Sequence, residues 1–325
     1  MMFKVKTPNL FCHIRSSIIQ GTFTIVALFS SSLSFAVING GAANENRFNA
    51  VGALKIGDNR SVGCTATLIA PNWIVTADHC IHATDGGEEE GGNPLPPEGY
   101  EFRLGNDFKK PVSKIKIKRW VAGPEVDGQT LDIAFGELSS PAPVSDLHLS
   151  VVPAWSLKWD STDMQSSYIH VGYGVNEAFS SRPSPLSDKR QQAMLTVTAN
   201  EGNALLKLFG NSQNLGAYIE QFHPQSLEAE DLDSIIAHAD LGSGYYVSAW
   251  DGRGRKNLSD IQMPSGGWQD TCFGDSGGPL LREINGQLVV VGVVSKGMDR
   301  ICSPMGTKFT IFSPPVQFLM KQLGI

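Results

Sequence analysis

The chain is written in short apolar runs, each soon broken by glycine, proline or asparagine, and that rhythm favours short strands over long helices. Residues 50–56, 63–69 and 73–77 are such runs, separated by Gly57-Asp58-Asn59 and Pro71-Asn72. Residues 102–104 and 112–121 continue the pattern, with Val112, Ile115, Ile117 and Trp120 set among basic residues. A second group falls at 168–173, 192–198, 288–295 and 307–312. Alternation and short apolar runs predict strands, and many of them at close spacing predict barrels or sandwiches. Thirty-four glycines and eighteen prolines in 325 residues supply the turns. The length suits one two-lobed domain or two small ones. No repeat of roughly 20–50 residues suggests a solenoid or propeller.

Three stretches break the rhythm. Residues 84–99 form a loop built from Gly86-Gly87, Glu88-Glu89-Glu90, Gly91-Gly92 and three prolines. Its acids are read as solvated, and no metal site is assigned to them. Residues 139–167, rich in Pro, Ser and Asp, form an irregular crossing between two halves. Residues 200–262 read as an insertion on the second half, with a weak amphipathic helix signal over 226–238. Pro314-Pro315 then opens a short closing helix, about 314–324, that packs through Val316, Phe318, Leu319 and Leu323.

Residues 1–36 have the layout of an export signal: Lys4, Lys6 and Arg15, a largely apolar stretch from Ile18 to Leu33, and Ser34-Phe35-Ala36 as a small–x–small cleavage site. The competing reading is a membrane anchor, opposed by Gln20, Gly21 and the serine run 30–32. The 26 basic and 32 acidic residues give a net charge of −6, which becomes −9 without the three leader cations. That balance argues against nucleic acid or an anionic membrane as partner. Loss of the leader also removes Cys12 and leaves Cys64, Cys80, Cys272 and Cys302. In an exported chain four cysteines suggest two disulfides, without fixing which pairs with which. A zinc site is the alternative, weakened by the lack of any CxxC spacing.

The sharpest chemical feature is Gly274-Asp275-Ser276-Gly277-Gly278-Pro279. A serine hydroxyl needs a base to take its proton, and the oxyanion it creates needs preorganised donors. Flanking glycines let the Gly274 and Ser276 N–H groups turn towards one oxygen. A tight glycine-rich hairpin with an incidental serine is the competing reading. His79, in Val75-Thr76-Ala77-Asp78-His79-Cys80, is a candidate base. Asp132 sits inside the apolar run Leu131-Asp132-Ile133-Ala134-Phe135, where a carboxylate is costly unless paired. A histidine N–H is a suitable partner, and the carboxylate would then fix the ring's tautomer. Asp127 is the rival acid, in the turn Glu125-Val126-Asp127-Gly128.

Four segments together resemble the signatures of trypsin-like serine proteases, in the family's order. They are Val37-Ile38-Asn39-Gly40-Gly41, Thr76-Ala77-Asp78-His79-Cys80, Asp132-Ile133-Ala134 and Gly274-Asp275-Ser276-Gly277-Gly278-Pro279. The resemblance implies an all-β fold of two six-stranded antiparallel β-barrels with a short C-terminal helix. The N-terminal barrel would occupy about 37–150 and the C-terminal barrel about 151–312. It implies a secreted endopeptidase acting on protein or peptide substrates, open to protein protease inhibitors, with no cofactor or metal. His79, Asp132 and Ser276 would form the triad, and the N–H groups of Gly274 and Ser276 the oxyanion hole. Cys64 would pair with Cys80, and Cys272 with Cys302. Ser295 and Gly297 would line the strand that receives substrate, and Asp270 would set a preference for Arg or Lys at the base of the primary pocket. A new N-terminus at Val37, released by the leader cut itself, would pair with Asp275, so no separate zymogen step is expected.

This sequence departs from the family pattern in places. Asp78 replaces the usual small residue before the histidine, and its charge bears on His79. Lys296 replaces an aromatic residue, and the interval from Ser295 to Cys302 is long. The main alternative is a catalytically inactive protease-like binding module, although no triad residue is missing. An esterase of another fold would run Ser, Asp, His on a βαβ framework; this chain runs His, Asp, Ser without one.

Overall fold

The computed structural model describes residues 37–57, 62–82, 94–146, 149, 151–175, 187–251, 268–299, 301–302 and 305–325. The expected leader, its cleavage site and the Glu88–Glu90 loop lie outside the described residues. The elements open with β1 (Gly41–Ala42), β2 (Val51–Ile56), β3 (Cys64–Ala70), β4 (Trp73–Thr76) and α1 (His79–His82). β5 (Tyr100–Leu104), β6 (Ser113–Ala122), the small ribbon β7 (Glu125–Val126) and β8 (Gln129–Thr130), and β9 (Ala134–Leu138) follow. Six of these strands close into an antiparallel barrel in the order β2-β3-β4-β9-β6-β5, with β5 pairing back onto β2.

Side-chain alternation explains the closure. In β5, Tyr100, Phe102 and Leu104 are buried while Glu101 and Arg103 face outwards. Phe102 and Leu104 join Leu54, Leu68, Ile74, Ile115 and Phe135 in one core. Each such side chain contributes roughly 1.5–3 kcal/mol by leaving water. Closure also removes the edge strands that would otherwise recruit other chains.

The second barrel follows α2 (Ser161–Gln165) and uses β10 (Ser167–Gly172), β11 (Gln191–Asn203), β12 (Asp240–Asp251), β13 (Pro279–Ile284), β14 (Gln287–Gly297) and β15 (Thr307–Ile311). The order is β11-β10-β13-β14-β15-β12, all antiparallel, and β12 closes on β11. The chain thus forms two closed six-stranded antiparallel barrels, ending in the C-terminal helix.

Two boundaries differ from the sequence reading. β1 pairs with β11, so the 37–42 segment belongs to the second barrel although it precedes the first. The expected insertion at 200–262 contains β12, a barrel strand, so the part that stands outside the barrel is narrower. It is a helical insert of α3 (Ala204–Phe209), α4 (Ser212–Phe222), α5 (Pro224–Ala229) and α6 (Leu232–His238) within the β11–β12 hairpin. The helix expected over 226–238 is two helices, because Asp231 caps a new start by accepting from the Ser234 N–H. The chain closes with α7 (Pro314–Leu323), capped by Gly324 in a left-handed conformation.

Arg190 fastens the start of β11 to the first barrel's side of the molecule. Its side chain is almost fully enclosed. It donates to the carbonyls of Ala43, Phe48 and Val51 and to the amide oxygens of Asn49 and Asn106.

Candidate active site

His79 opens α1 just after β4 ends, so a short, well-buried strand fixes where the imidazole starts. Asp132 precedes β9, the neighbour of β4 in the sheet, with Leu131 and Ile133 buried on either side. The pairing of β4 with β9 therefore brings together two residues 53 positions apart. Asp132 Oδ1 accepts the His79 backbone N–H at 3.0 Å, and Nδ1 lies 3.1 Å from Oδ1 and 3.0 Å from Oδ2. The second barrel completes the acid's shell. Ser295 Oγ donates to Oδ2 at 2.6 Å, and Thr310 Oγ1 to the Asp132 carbonyl at 2.7 Å. Burial pushes the Asp132 carboxyl up, but the His79 charge and the bonds from His79 and Ser295 outweigh it and hold it at about 2.

Asp78 turns the other way. Its Oδ2 lies 3.2 Å from His82 Nδ1, both side chains are enclosed, and burial pushes its carboxyl up to about 6 against the pull of His82. The charge before His79 is thus directed at His82, while remaining within electrostatic reach of His79 and Asp132.

Ser276 lies in a turn gripped by both barrels. The Thr65 N–H from β3 donates to the Ser276 carbonyl at 2.8 Å, and Thr65 Oγ1 to the Gly274 carbonyl at 2.9 Å. The Gly277 N–H reaches Val294 of β14 at 2.8 Å. Gly277 has φ +74°, and a methyl group there would collide with Thr76 Oγ1 and the Ala77 nitrogen. Only glycine allows this approach, which sets the Ser276–Gly277 turn against Thr76, the last residue of β4, and Ala77, two residues before His79. In the same turn the N–H groups of Asp275, Gly277 and Gly278 donate to protein carbonyls. Among the described residues, those of Gly274 and Ser276 donate to no protein acceptor.

Asp275 is fully enclosed. Its Oδ1 accepts the Gly174 N–H at 2.8 Å and its Oδ2 the Cys272 N–H at 3.0 Å, while His170 Nε2 lies 3.4 Å from Oδ1. Val37 is fully buried beside β1, and the next residue's N–H donates to the Asp270 carbonyl at 3.1 Å. With Ala36 attached, Val37 carries a peptide nitrogen and no ammonium for Asp275.

Asp270 is buried and accepts from the Thr271 N–H at 2.8 Å, the Gly306 N–H at 2.9 Å and Thr307 Oγ1 at 2.7 Å. Burial pushes its carboxyl up to about 7, more than those bonds pull it down. Ser295 and Gly297 occupy the end of β14. β13 pairs no further along β14 than Val293, so residues 295–297 extend past their neighbour on that side.

The cysteines form Cys64–Cys80, beside His79, and Cys272–Cys302, beside Asp270. Both pairings follow the resemblance and remove the thiolates that a zinc site would need. Sequence reasoning missed three contributions: the Ser295 hydroxyl at Asp132, the Thr65 and Thr310 braces between barrels, and His170 beside Asp275. Threonine in a strand reads as an ordinary β-former, so its hydroxyl role leaves no local signal.

The family model described as Trypsin matches residues 37–212 and 238–316. Serine protease 28 of Mus musculus is 24% identical over 241 residues, covering 73% of this chain and 69% of that protein. Trypsin of Simulium vittatum is 24% identical over 238 residues, covering 72% and 70%. Human tissue-type plasminogen activator is 24% identical over 247 residues, covering 72% of this chain but only 34% of its own length. The chain thus spans about a third of that relative. With the matched segments covering both barrels and the two disulfides in place, the chain belongs to the trypsin-like serine protease family.

Proposed function

We propose that this chain is an active, secreted serine endopeptidase that cuts peptide bonds after Arg or Lys. In this reading Ser276 Oγ attacks the scissile carbonyl while His79 Nε2 takes its proton, and Asp132 holds the opposite ring nitrogen and stabilises the imidazolium. The tetrahedral oxyanion sits between the N–H groups of Gly274 and Ser276. His79 then returns the proton to the departing amine, leaving an acyl-enzyme at Ser276. Water, deprotonated by His79, releases the acid product. Substrate adds as a strand along the 295–297 end of β14, a way of holding any peptide. Asp270 at the pocket base pairs with the basic side chain. Residues 1–36 direct export and are then removed, so the working enzyme has no membrane segment in this reading.

The observation that carries the reading is the turn at Ser276, whose N–H groups at 274 and 276 are left without a protein acceptor among the described residues while their neighbours' are used. An inactive binding module has no need of that arrangement. Fluorophosphonate labelling tests it. Wild type should label at Ser276 and hydrolyse peptidyl-arginine substrates. Ser276→Ala should fold, fail to label and lose on the order of 10⁴–10⁶ in turnover. Hydrolysis at the wild-type rate by Ser276→Ala, or no labelling of the folded wild type, overturns the proposal.

A further inference from the structure

The helical insert has a core of its own, and two residues of that core come from outside the β11–β12 hairpin that carries the insert. Leu205, Phe209, Leu215, Ile219 and Ile235 pack with Met298 and Met305, both almost fully buried. Met298 follows β14 and Met305 precedes β15, so the insert packs on both ends of the 298–305 connection. A polar link reinforces the contact. Ser226 of α5 is fully enclosed, and its Oγ donates to Asp299 Oδ2 at 2.8 Å. The other oxygen, Oδ1, accepts the Ile301 N–H at 3.3 Å within the connection.

From there the path to Asp270 is short. The Met298 N–H donates to the Gly306 carbonyl at 3.0 Å, and the Gly306 N–H donates to Asp270 Oδ2 at 2.9 Å. Cys302 ties the same connection to Cys272, two residues past Asp270. The family model passes over residues 213–237, which hold nearly all of α4 and α6 and the whole of α5, Ser226 among them. The Ser226 link is therefore an addition of this chain to the frame that the family model matches.

We propose that the α3–α6 insert is a specificity-determining support for the pocket around Asp270, with Ser226 as a positioning residue acting through Asp299. This deepens the endopeptidase reading and rests on it for the pocket's role. A serine hydroxyl donating to a carboxylate is a charge-assisted bond, and removing it takes one donor from the half-buried Asp299 carboxylate. The packing of Met298 and Met305, the Met298–Gly306 backbone bond and the Cys272–Cys302 disulfide would then hold the connection without the link to α5. Methionine is unbranched and adapts its shape, so with the link to α5 gone the Gly306 end shifts more readily than in wild type. A pocket wall that shifts loses binding of the side chain it was shaped for. The serine and histidine, held by other strands, keep their chemistry.

The test compares wild type with Ser226→Ala, Ser226→Thr and Asp299→Asn in the full mature chain. Peptidyl-arginine hydrolysis in Ser226→Ala should show KM raised roughly tenfold with kcat within about twofold. The preference for arginine over glutamine at the cleaved residue should fall in parallel. Fluorophosphonate labelling, which needs no pocket side chain, should stay within about twofold of wild type. Ser226→Thr keeps the hydroxyl and should restore KM. Amide hydrogen exchange of residues 298–306, measured without substrate, should quicken in Ser226→Ala and in Asp299→Asn. The exchange arm stands even if Ser226→Ala folds poorly, because Asp299→Asn perturbs the same link from the half-buried side. Unchanged KM, selectivity and exchange in both variants overturns the support role. Equal losses in labelling and hydrolysis overturn it too, since the brace would then serve the whole fold. Failure of wild type to label counts against the endopeptidase reading alone, and hydrogen exchange still decides whether the insert braces the connection.

Discussion

Ser295 Oγ, on the second barrel, donates to Asp132 Oδ2, on the first, at 2.6 Å. The bond crosses the interface between the barrels at the acid that orients His79, and Thr310 crosses at the same residue's carbonyl. Asp132 is thus held from three sides, by His79, Ser295 and Thr310, so its carboxylate has little freedom to leave the imidazole. The orientation of the ring depends on how the barrels meet as well as on the β4–β9 pairing.

Acid stability should report this arrangement. The Asp132 carboxyl is held at about 2 in the folded chain against 3.8 for the free group. A depressed acid contributes stability that is present above the unfolded value and is lost as pH falls through the folded one. Asp132→Asn should therefore remove about 2 kcal/mol of the pH-dependent loss of stability between roughly pH 4 and pH 2. Urea unfolding midpoints across that range measure it, and parallel curves for wild type and variant would rule it out. At neutral pH the same variant should lose on the order of 10⁴ in turnover, because the amide presents the wrong partner to Nδ1.

Asp270 works in the opposite sense. Its folded carboxyl is pushed up to about 7 by burial. The proton it retains stabilises the fold fully below the unfolded value of 3.8, and that stability is lost as pH rises through about 7. A cationic substrate side chain needs the carboxylate. The ratio of kcat/KM for arginine over glutamine substrates should climb as pH passes through that range. His79 affects both substrates alike and cancels in the ratio. Asp270→Ser should flatten the climb and lower the ratio roughly 10²-fold or more. Thermal melts add an independent check: Asp270→Asn should gain on wild type at pH 8 relative to pH 5. A flat wild-type ratio, with cleavage mainly after Leu, Phe or Glu, would show that the acid does not face the substrate.

Much of this is legible in the sequence. Short apolar runs located most barrel strands because alternation and turn residues are local signals. Asp132 stood out because a carboxylate among apolar residues needs a partner, and the partner in the structure is His79. β12 was hidden because it opens Asp240-Leu241-Gly242-Ser243-Gly244, a string that reads as loop. α3 and α4 were hidden because Asn203 and Asn211, which look like turn residues, are their N-caps. The links from Ser226 to Asp299 and from Ser295 to Asp132 depend on how distant elements meet, 73 and 163 residues apart in sequence. No window along the chain holds both ends of either.

Arg190 is the buried cation whose loss should cost most outside the site. Its guanidinium serves the carbonyls of Ala43, Phe48 and Val51 and the amide oxygens of Asn49 and Asn106. Removing it strips a partner from several buried acceptors at once, each costing about 1–3 kcal/mol. Arg190→Met keeps much of the apolar stem and should still destabilise by more than about 3 kcal/mol. Lysine should recover only part of the loss, since a compact ammonium cannot span acceptors arranged for a planar fork. Chemical denaturation of the three proteins decides it, and a Met variant within about 0.5 kcal/mol of wild type would mean that water replaces the guanidinium.

The last prediction concerns the bond between Ala36 and Val37. Val37 has φ +68°, in the left-handed region that a β-branched residue strongly disfavours, and its side chain is fully buried. Such a conformation costs about 1–2 kcal/mol. The φ torsion exists only while a carbonyl carbon is attached to the Val37 nitrogen, so cutting after Ala36 abolishes the strain and leaves the buried side chain in place. The cut also creates an ammonium at the start of the segment whose Ile38 N–H already holds the Asp270 carbonyl. Asp275, enclosed and immediately before Ser276, is the carboxylate proposed to receive it. A paired amine has a raised pKa. Its contribution is complete below the free amine's value of about 7.7–8.0 and is lost as pH climbs through the raised one. The mature chain should therefore begin at Val37 and be more stable than a chain retaining Ala36 by at least about 1–2 kcal/mol near pH 7. Retaining Ala36 should slow hydrolysis while leaving the His79–Asp132 pair intact. N-terminal sequencing of the exported, active protein, with melts of both forms at pH 7 and pH 10, carries the test. The stability gap should narrow at the higher pH, and full activity in a chain that starts anywhere but Val37 rules the mechanism out.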